Sequence, residues 1–179
     1  MAPITVIESI FKTVWVPMAY RWYVQNAPKQ KFEDAGTLLF AFFIIVYGIL
    51  IVFRNKIALF LGDNYREASG IFPFLLFQPV LTTVSYVTGQ GIEFAKKTVF
   101  SLYICIISSL FNFIGNWCLT PRYGVLGTSA ATSLSYVVYA IVAIFFSRTV
   151  WVKFRISNYI INLILMLNLA FSTLMSKKI

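Results

Sequence analysis

Glu8 and Lys12 stand four residues apart inside an otherwise apolar run, "PITVIESIFKTVWVPMAY". That spacing puts a carboxylate and an ammonium on one helical face, where they can pair. A charge at membrane depth is tolerated only where it faces a bundle interior or a wet cavity. The pair therefore marks either a cavity-lining helix or an interfacial, incompletely inserted N-terminal segment. Two polar stripes follow at helical spacing. One is Gln78, Thr82, Ser85 and Gly89, on a segment that also carries Pro73 and Pro79; the other is Ser101, Cys105, Ser108, Asn112 and Asn116. Proline inside a span bends the helix and frees carbonyls. Polar side chains in an apolar medium need partners or water, so each stripe serves interhelical hydrogen bonding or lines a hydrophilic path.

Other chemistry is thinly represented. With no histidine in the chain, the usual hydrolytic triads are excluded. No glycine loop ends in Lys-Ser or Lys-Thr, which excludes a phosphate-cradling ATP site. A membrane glycosyltransferase needs acidic residues for a metal–nucleotide complex, and Asp63 and Glu67 are candidates by spacing alone. Cys105 and Cys118 fall within one predicted span, so neither a disulfide framework nor a zinc site is expected. No catalytic residue, metal or cofactor is expected; the chain reads as a transporter or a structural membrane protein, not an enzyme.

The elements that must hold these residues are set by composition. Hydrophobic residues make up 59% of the chain and charged ones 12%, against about 25% charged in an ordinary soluble domain. A small domain has too much surface to hide that excess. About 20 apolar residues cross a bilayer as a helix, and such runs recur at 36–53, 68–92, 98–121, 123–147 and 156–176, with a less regular one at 3–23. The expected fold is all-α: a polytopic transmembrane bundle of five to six spans forming one membrane domain over 1–179. No basic leader precedes an apolar core, so no cleavable signal is expected. The short connections leave no room for a soluble catalytic domain.

Net charge is +9. These charges lie in short loops, where topology and lipid headgroups explain them better than nucleic acid. Alternating loops sort eight basic residues (Arg21, Lys29, Lys31, Lys96, Lys97, Arg148, Lys153, Arg155) from six (Arg54, Lys56, Arg66, Arg122, Lys177, Lys178). The positive-inside rule then places the first set in the cytoplasm. In "TGQGIEFAKKTVF", Gly89 and Gly91 are expected to loosen the end of a span. Glu93, Lys96 and Lys97 hold the turn at the headgroups, with Arg21 beside them at the cytoplasmic mouth, and Thr98 starts the next helix. Gly127, Ala131 and Ser135 form a small-residue ridge for close helix packing.

Three stretches in order, "LFLGDNYREASGIFPFLLF", "TGQGIEFAKKT" and "NWCLTPRYGVLGTSAATSLSY", resemble the C-terminal half of bacterial polysaccharide repeat-unit flippases. These are the Wzx-type members of the multidrug/oligosaccharidyl-lipid/polysaccharide exporter superfamily. Asn116 followed by Pro-x-x-Gly-x-x-Gly-x-x-x-Ala-Thr over 121–132 is the most specific match, and "VWVPMAY" resembles a proline-bearing span of the same family. The likeness covers about Phe11 to Phe154.

The resemblance implies translocation of an undecaprenyl-pyrophosphate-linked oligosaccharide for O-antigen, lipopolysaccharide or capsule assembly in the inner (plasma) membrane. It also implies a two-bundle fold with alternating access, of which this chain is one bundle. A missing N-terminal bundle or partner chain, membrane lipids and polysaccharide assembly proteins are the implied partners. On that basis Lys12 is expected to neutralise the pyrophosphate, with Gln78, Asn112 and Asn116 contacting sugar hydroxyls. A drug/cation antiporter or lipid II flippase of the same superfamily, or a non-transporting scaffold subunit, is the alternative.

Overall fold

The computed structural model describes residues 2–54, 56–57, 71–151 and 156–175. Asp63, Glu67, Arg66, Lys153, Arg155, Lys177 and Lys178 lie outside them, as does the first part of "LFLGDNYREASGIFPFLLF", through Gly70. The described residues show no strand, and their helices include α1 (Ala2–Val24), α2 (Lys29–Val52), α3 (Phe72–Leu75), α4 (Phe77–Phe94), α5 (Val99–Val150) and α6 (Ile156–Met175). Lys29–Val52 and Val99–Val150 are long and apolar enough to cross a membrane.

Helix α5 is two arms. Gly124 has φ +57° and ψ −132°, a backbone conformation L-residues avoid, and there the helix breaks. The arms fold back on each other. A Cβ at Gly127 would strike the Leu119 carbonyl, and one at Gly115 would lie 3.1 Å from the Ala131 Cβ. The connection expected between the 98–121 and 123–147 runs is thus contracted to a single non-helical glycine, Gly124. Each arm is about 25 residues, or roughly 37 Å at 1.5 Å per residue, enough for one bilayer crossing.

The prolines of the 68–92 run do not sit mid-helix. Pro73 occupies the first turn of α3 and Pro79 the first turn of α4, with the break at Leu76 between them. A first-turn residue has no intrahelical use for its N–H, so proline costs nothing there. Two carbonyls at the break are taken up by other helices. The Tyr47 hydroxyl donates to Pro73 O at 3.2 Å, and the Ser133 hydroxyl donates to Phe74 O at 2.7 Å. The break thereby ties α2 and α5 to α3.

Helix α4 is the buried centre, with Leu81, Thr83, Val87 and Thr88 all inaccessible. Gly89 and Gly91 do not loosen its end; the helix runs through both to Phe94. Gly91 instead gives room to the Trp151 indole, which any side chain there would strike. The helix then closes with Lys96 N–H on Glu93 O at 2.9 Å and Lys97 N–H on Ile92 O at 3.1 Å, Lys96 being left-handed at φ +55°. Helix α1 ends the same way through Asn26, φ +49°, with Ala27 N–H on Trp22 O. Thr98 precedes α5 but its side chain makes no capping hydrogen bond.

These turns meet at one end of the molecule. Tyr23 stacks on Phe94 at 4.4 Å, Phe94 meets Trp151 edge-on at 5.2 Å, and Trp151 meets Phe32 at 4.6 Å. Lys29 Nζ donates to Trp151 O at 3.0 Å. The result is an aromatic collar with exposed Arg21, Lys96 and Lys97 around it. Trp and Tyr beside basic residues are the usual anchors of a helix end at a lipid headgroup layer. Elsewhere the outer surface is apolar: Leu38, Phe42 and Ile45 of α2 and Leu102, Ile106 and Trp117 of α5 are all exposed. A monomeric protein in water rarely shows contiguous apolar area on this scale.

Candidate functional site: a polar groove between the arms of α5 and beside α4

Glu8 and Lys12 do pair. Lys12 Nζ is 2.7 Å from Glu8 Oε1, and both side chains are largely covered. The pair faces α4. Lys12 Nζ lies 4.4 Å above the Tyr86 ring, and the Thr82 hydroxyl is 3.2 Å from Glu8 Oε1. That hydroxyl has one proton, shared with the Gln78 carbonyl at 2.8 Å, so the link to Glu8 is modest. Gln78 sits half-buried one turn earlier on the same face.

Asn112 and Asn116 run along the seam between the arms. Asn112 Nδ2 donates to Ser135 Oγ at 3.1 Å and reaches Thr132 Oγ1 at 3.4 Å. Asn116 Nδ2 donates to Asn112 O and Oδ1, both at 2.9 Å. Thr120 Oγ1 donates to Asn116 Oδ1 at 3.2 Å and sits 3.0 Å from Thr128 Oγ1. Both amides are therefore engaged in a hydrogen-bonded ladder across the hairpin. Gly127, Ala131 and Ser135 lie on the opposite side of this seam, all buried, facing Leu119, Gly115 and Asn112 in register.

Beside the ladder opens a groove of about 430 Å³, lined by Cys105, Ser108, Asn112, Ser135, Tyr136 and Tyr139. Tyr139 also borders a second space of about 80 Å³ with Ser85, Tyr86, Gly89, Glu93 and Ser101. Tyr136 is within electrostatic reach of Glu8, and Tyr139 of Tyr86, Tyr136 and Glu93. The polar face thus continues from the Glu8–Lys12 pair past Tyr86 into the hairpin. Ser85 is 5% exposed, and its hydroxyl has no hydrogen-bond partner among the described residues.

Of the residues expected from sequence, the fold brings Lys12 to the groove's margin and Asn112 to its wall. Arg21, Lys96 and Lys97 sit apart, at the aromatic collar. Glu93 joins the two zones: it is exposed, accepts from Gln90 Nε2 at 3.2 Å and borders the smaller space. Tyr86, Tyr136 and Tyr139 were not anticipated. Thr132, Ser135, Tyr136 and Tyr139 fall at i, i+3, i+4 and i+7, so a period count on that span alone marks one polar face. Among the described residues no group of three or more His, Cys, Asp or Glu side chains is placed to hold a metal.

Among the described residues the structure is all-helical, with two helices long and apolar enough to cross a membrane and a polar groove along α5. In sequence it is similar to the probable low-salt glycan biosynthesis flippase Agl15 of Haloferax volcanii, 23% identical over 156 residues. The match covers 84% of this chain and 33% of that protein, so the chain spans about a third of its relative's length. No protein-family model matches the chain, and no solved structure is significantly similar to it.

Proposed function

We propose that this chain is part of a membrane flippase that moves a lipid-linked glycan between bilayer leaflets. The observation that carries this is the groove's chemistry in its surroundings. Hydroxyls, an amide and three tyrosines are grouped on one face of helices whose other faces are apolar. A path for a sugar headgroup beside hydrocarbon needs that division. The similarity to a glycan biosynthesis flippase points the same way.

In finer form, the substrate is an undecaprenyl-pyrophosphate-linked repeat unit and the chain acts as one bundle of a Wzx-type carrier, multi-pass in the cell membrane. A second bundle, from the same or a partner chain, closes the other side of the groove. Lys12 supplies the cation for the pyrophosphate. Glu8 holds that cation until an anion of higher charge displaces it. The aromatic collar with Arg21, Lys96 and Lys97 lies at the cytoplasmic face, where the substrate enters. Asn112 and Asn116 shape the wall, and Gln78 remains a candidate for hydroxyl contact.

The test is genetic. Disrupting the gene should lower surface glycan, measured by lectin binding, while lipid-linked precursor accumulates inside. Surface glycan and precursor both at wild-type levels would overturn the proposal.

A further inference from the structure

The two spaces that meet at Tyr139 are built differently from the charged margin at Glu8 and Lys12. The larger one has no ionisable acid or base in its wall beyond Cys105 and the two phenols. Its polar groups are hydroxyls and one amide, and Asn112 spends that amide on Ser135 and Asn116. Tyr136 and Tyr139 have no hydrogen-bond partner among the described residues; each is half-buried, with part of its ring packed on the core and the rest bordering the groove. Ser85, almost wholly buried, borders the smaller space with its hydroxyl unsatisfied. A buried polar atom without a partner is costly unless something completes it.

We propose that the two spaces together form a subsite for an uncharged sugar, with a ring in the larger one against Tyr139 and Tyr136 and a hydroxyl reaching Ser85 in the smaller one. The inference rests on the glycan-translocation proposal and deepens it. It moves sugar recognition from Asn112 and Asn116 to residues with free capacity. The C–H face of a pyranose carries slight positive charge and rests well on the negative face of an aromatic ring. Its hydroxyls both donate and accept, which matches phenols and serine and does not require a charged partner. A volume of about 430 Å³ accommodates one to a few sugar rings. Lys12, on the far side of Tyr86, is then left for the anionic part of the same molecule.

The chain carries its own reporter. Cys105 lines the groove, and Cys118 is exposed on another face of the same arm. In the full chain in micelles, alkylation of both thiols by a hydrophilic maleimide is timed. The probe is the oligosaccharide released by mild acid from the source cells' polyprenol-linked pool, with tetramethylammonium as a cationic control. At saturation the sugar should slow Cys105 about five-fold and leave Cys118 unchanged, as expected of a ligand that covers most of its pocket. Ser85→Ala should raise the sugar concentration needed about ten-fold, the loss of one hydrogen bond. Tyr139→Ala should remove the protection. Tyr139→Phe, which keeps the ring, should retain part of it and stands in if the alanine variant does not fold.

Unslowed Cys105, or slowing undiminished in Tyr139→Ala at a native Cys118 rate, overturns the subsite. So does slowing by tetramethylammonium and not by sugar. Glycan export that fails on gene disruption while Cys105 stays unprotected sinks the subsite and leaves the translocation proposal intact. Protection of Cys105 with export unaffected by disruption does the reverse.

Discussion

Gly127 lies against the Leu119 carbonyl with no room for a Cβ between them. The neighbour is backbone, so nothing can rotate aside. The contact fixes the register of the α5 hairpin, which in turn sets Asn112 opposite Ser135 and aims Tyr136 and Tyr139 into the groove. Gly127→Ala should push the arms apart and destabilise the chain by about 2 kcal/mol, in the range of core overpacking. Thermal unfolding in micelles measures this; an unchanged midpoint would contradict the register.

Asn112 joins the arms through Ser135 and, more weakly, Thr132. Asn112→Ala should cost about 1 kcal/mol, the usual scale for interhelical hydrogen bonds in membranes. Asn112→Ala and Ser135→Ala together should cost less than the sum of the two, since they remove one shared bond. A double-mutant cycle on unfolding free energy checks it, and strict additivity would show that the bond contributes nothing.

The Glu8–Lys12 pair leads to an asymmetric expectation. Glu8→Ala leaves a partly buried ammonium whose remaining partner among the described residues is the Tyr86 ring, whereas the double alanine variant leaves no charge. The single variant should therefore be the less stable, by about 1 kcal/mol. For function, Lys12→Ala in otherwise intact protein should lower surface glycan severalfold at normal expression. Wild-type glycan in that variant would remove Lys12 from the mechanism.

Lys96 holds a left-handed conformation at the end of α4 that strains any residue with a Cβ. Lys96→Gly should stabilise the chain by about 1 kcal/mol, provided the relief of strain exceeds glycine's extra chain entropy. Asn26→Gly should gain less, because asparagine tolerates that region better. Unfolding midpoints of the two variants, compared side by side, decide the order.

Much of the helical pattern was legible in the sequence, because runs of apolar residues at helical spacing are a strong signal. The breaks were less so. Two glycines in "TGQG" suggested a loosened helix end, but tertiary contact decided otherwise: Gly91 is there to admit Trp151, which lies 60 residues further on. Pro73 and Pro79 implied kinks inside a span, yet the break falls at Leu76, where each proline can sit in a first turn. The Glu8–Lys12 pair was predictable from spacing alone. The tyrosines of the groove were harder to see, because Tyr in an apolar span also reads as an interfacial anchor. Only the fold-back at Gly124 brings 136 and 139 opposite 105 and 108. Local spacing likewise identified Asn112 and Asn116 as polar residues in a span but not that each would satisfy the other.

The most direct test of the central proposal is transbilayer movement itself. Protein purified from its source cells is reconstituted into liposomes holding the cells' own lipid-linked glycan, and the fraction of glycan reachable by an added, impermeant glycosidase is followed with time. Flippase action predicts that the inner-leaflet pool becomes accessible in protein-containing vesicles and stays protected in empty ones. An inner pool that remains protected in both, with the protein folded and the vesicles sealed, would contradict it.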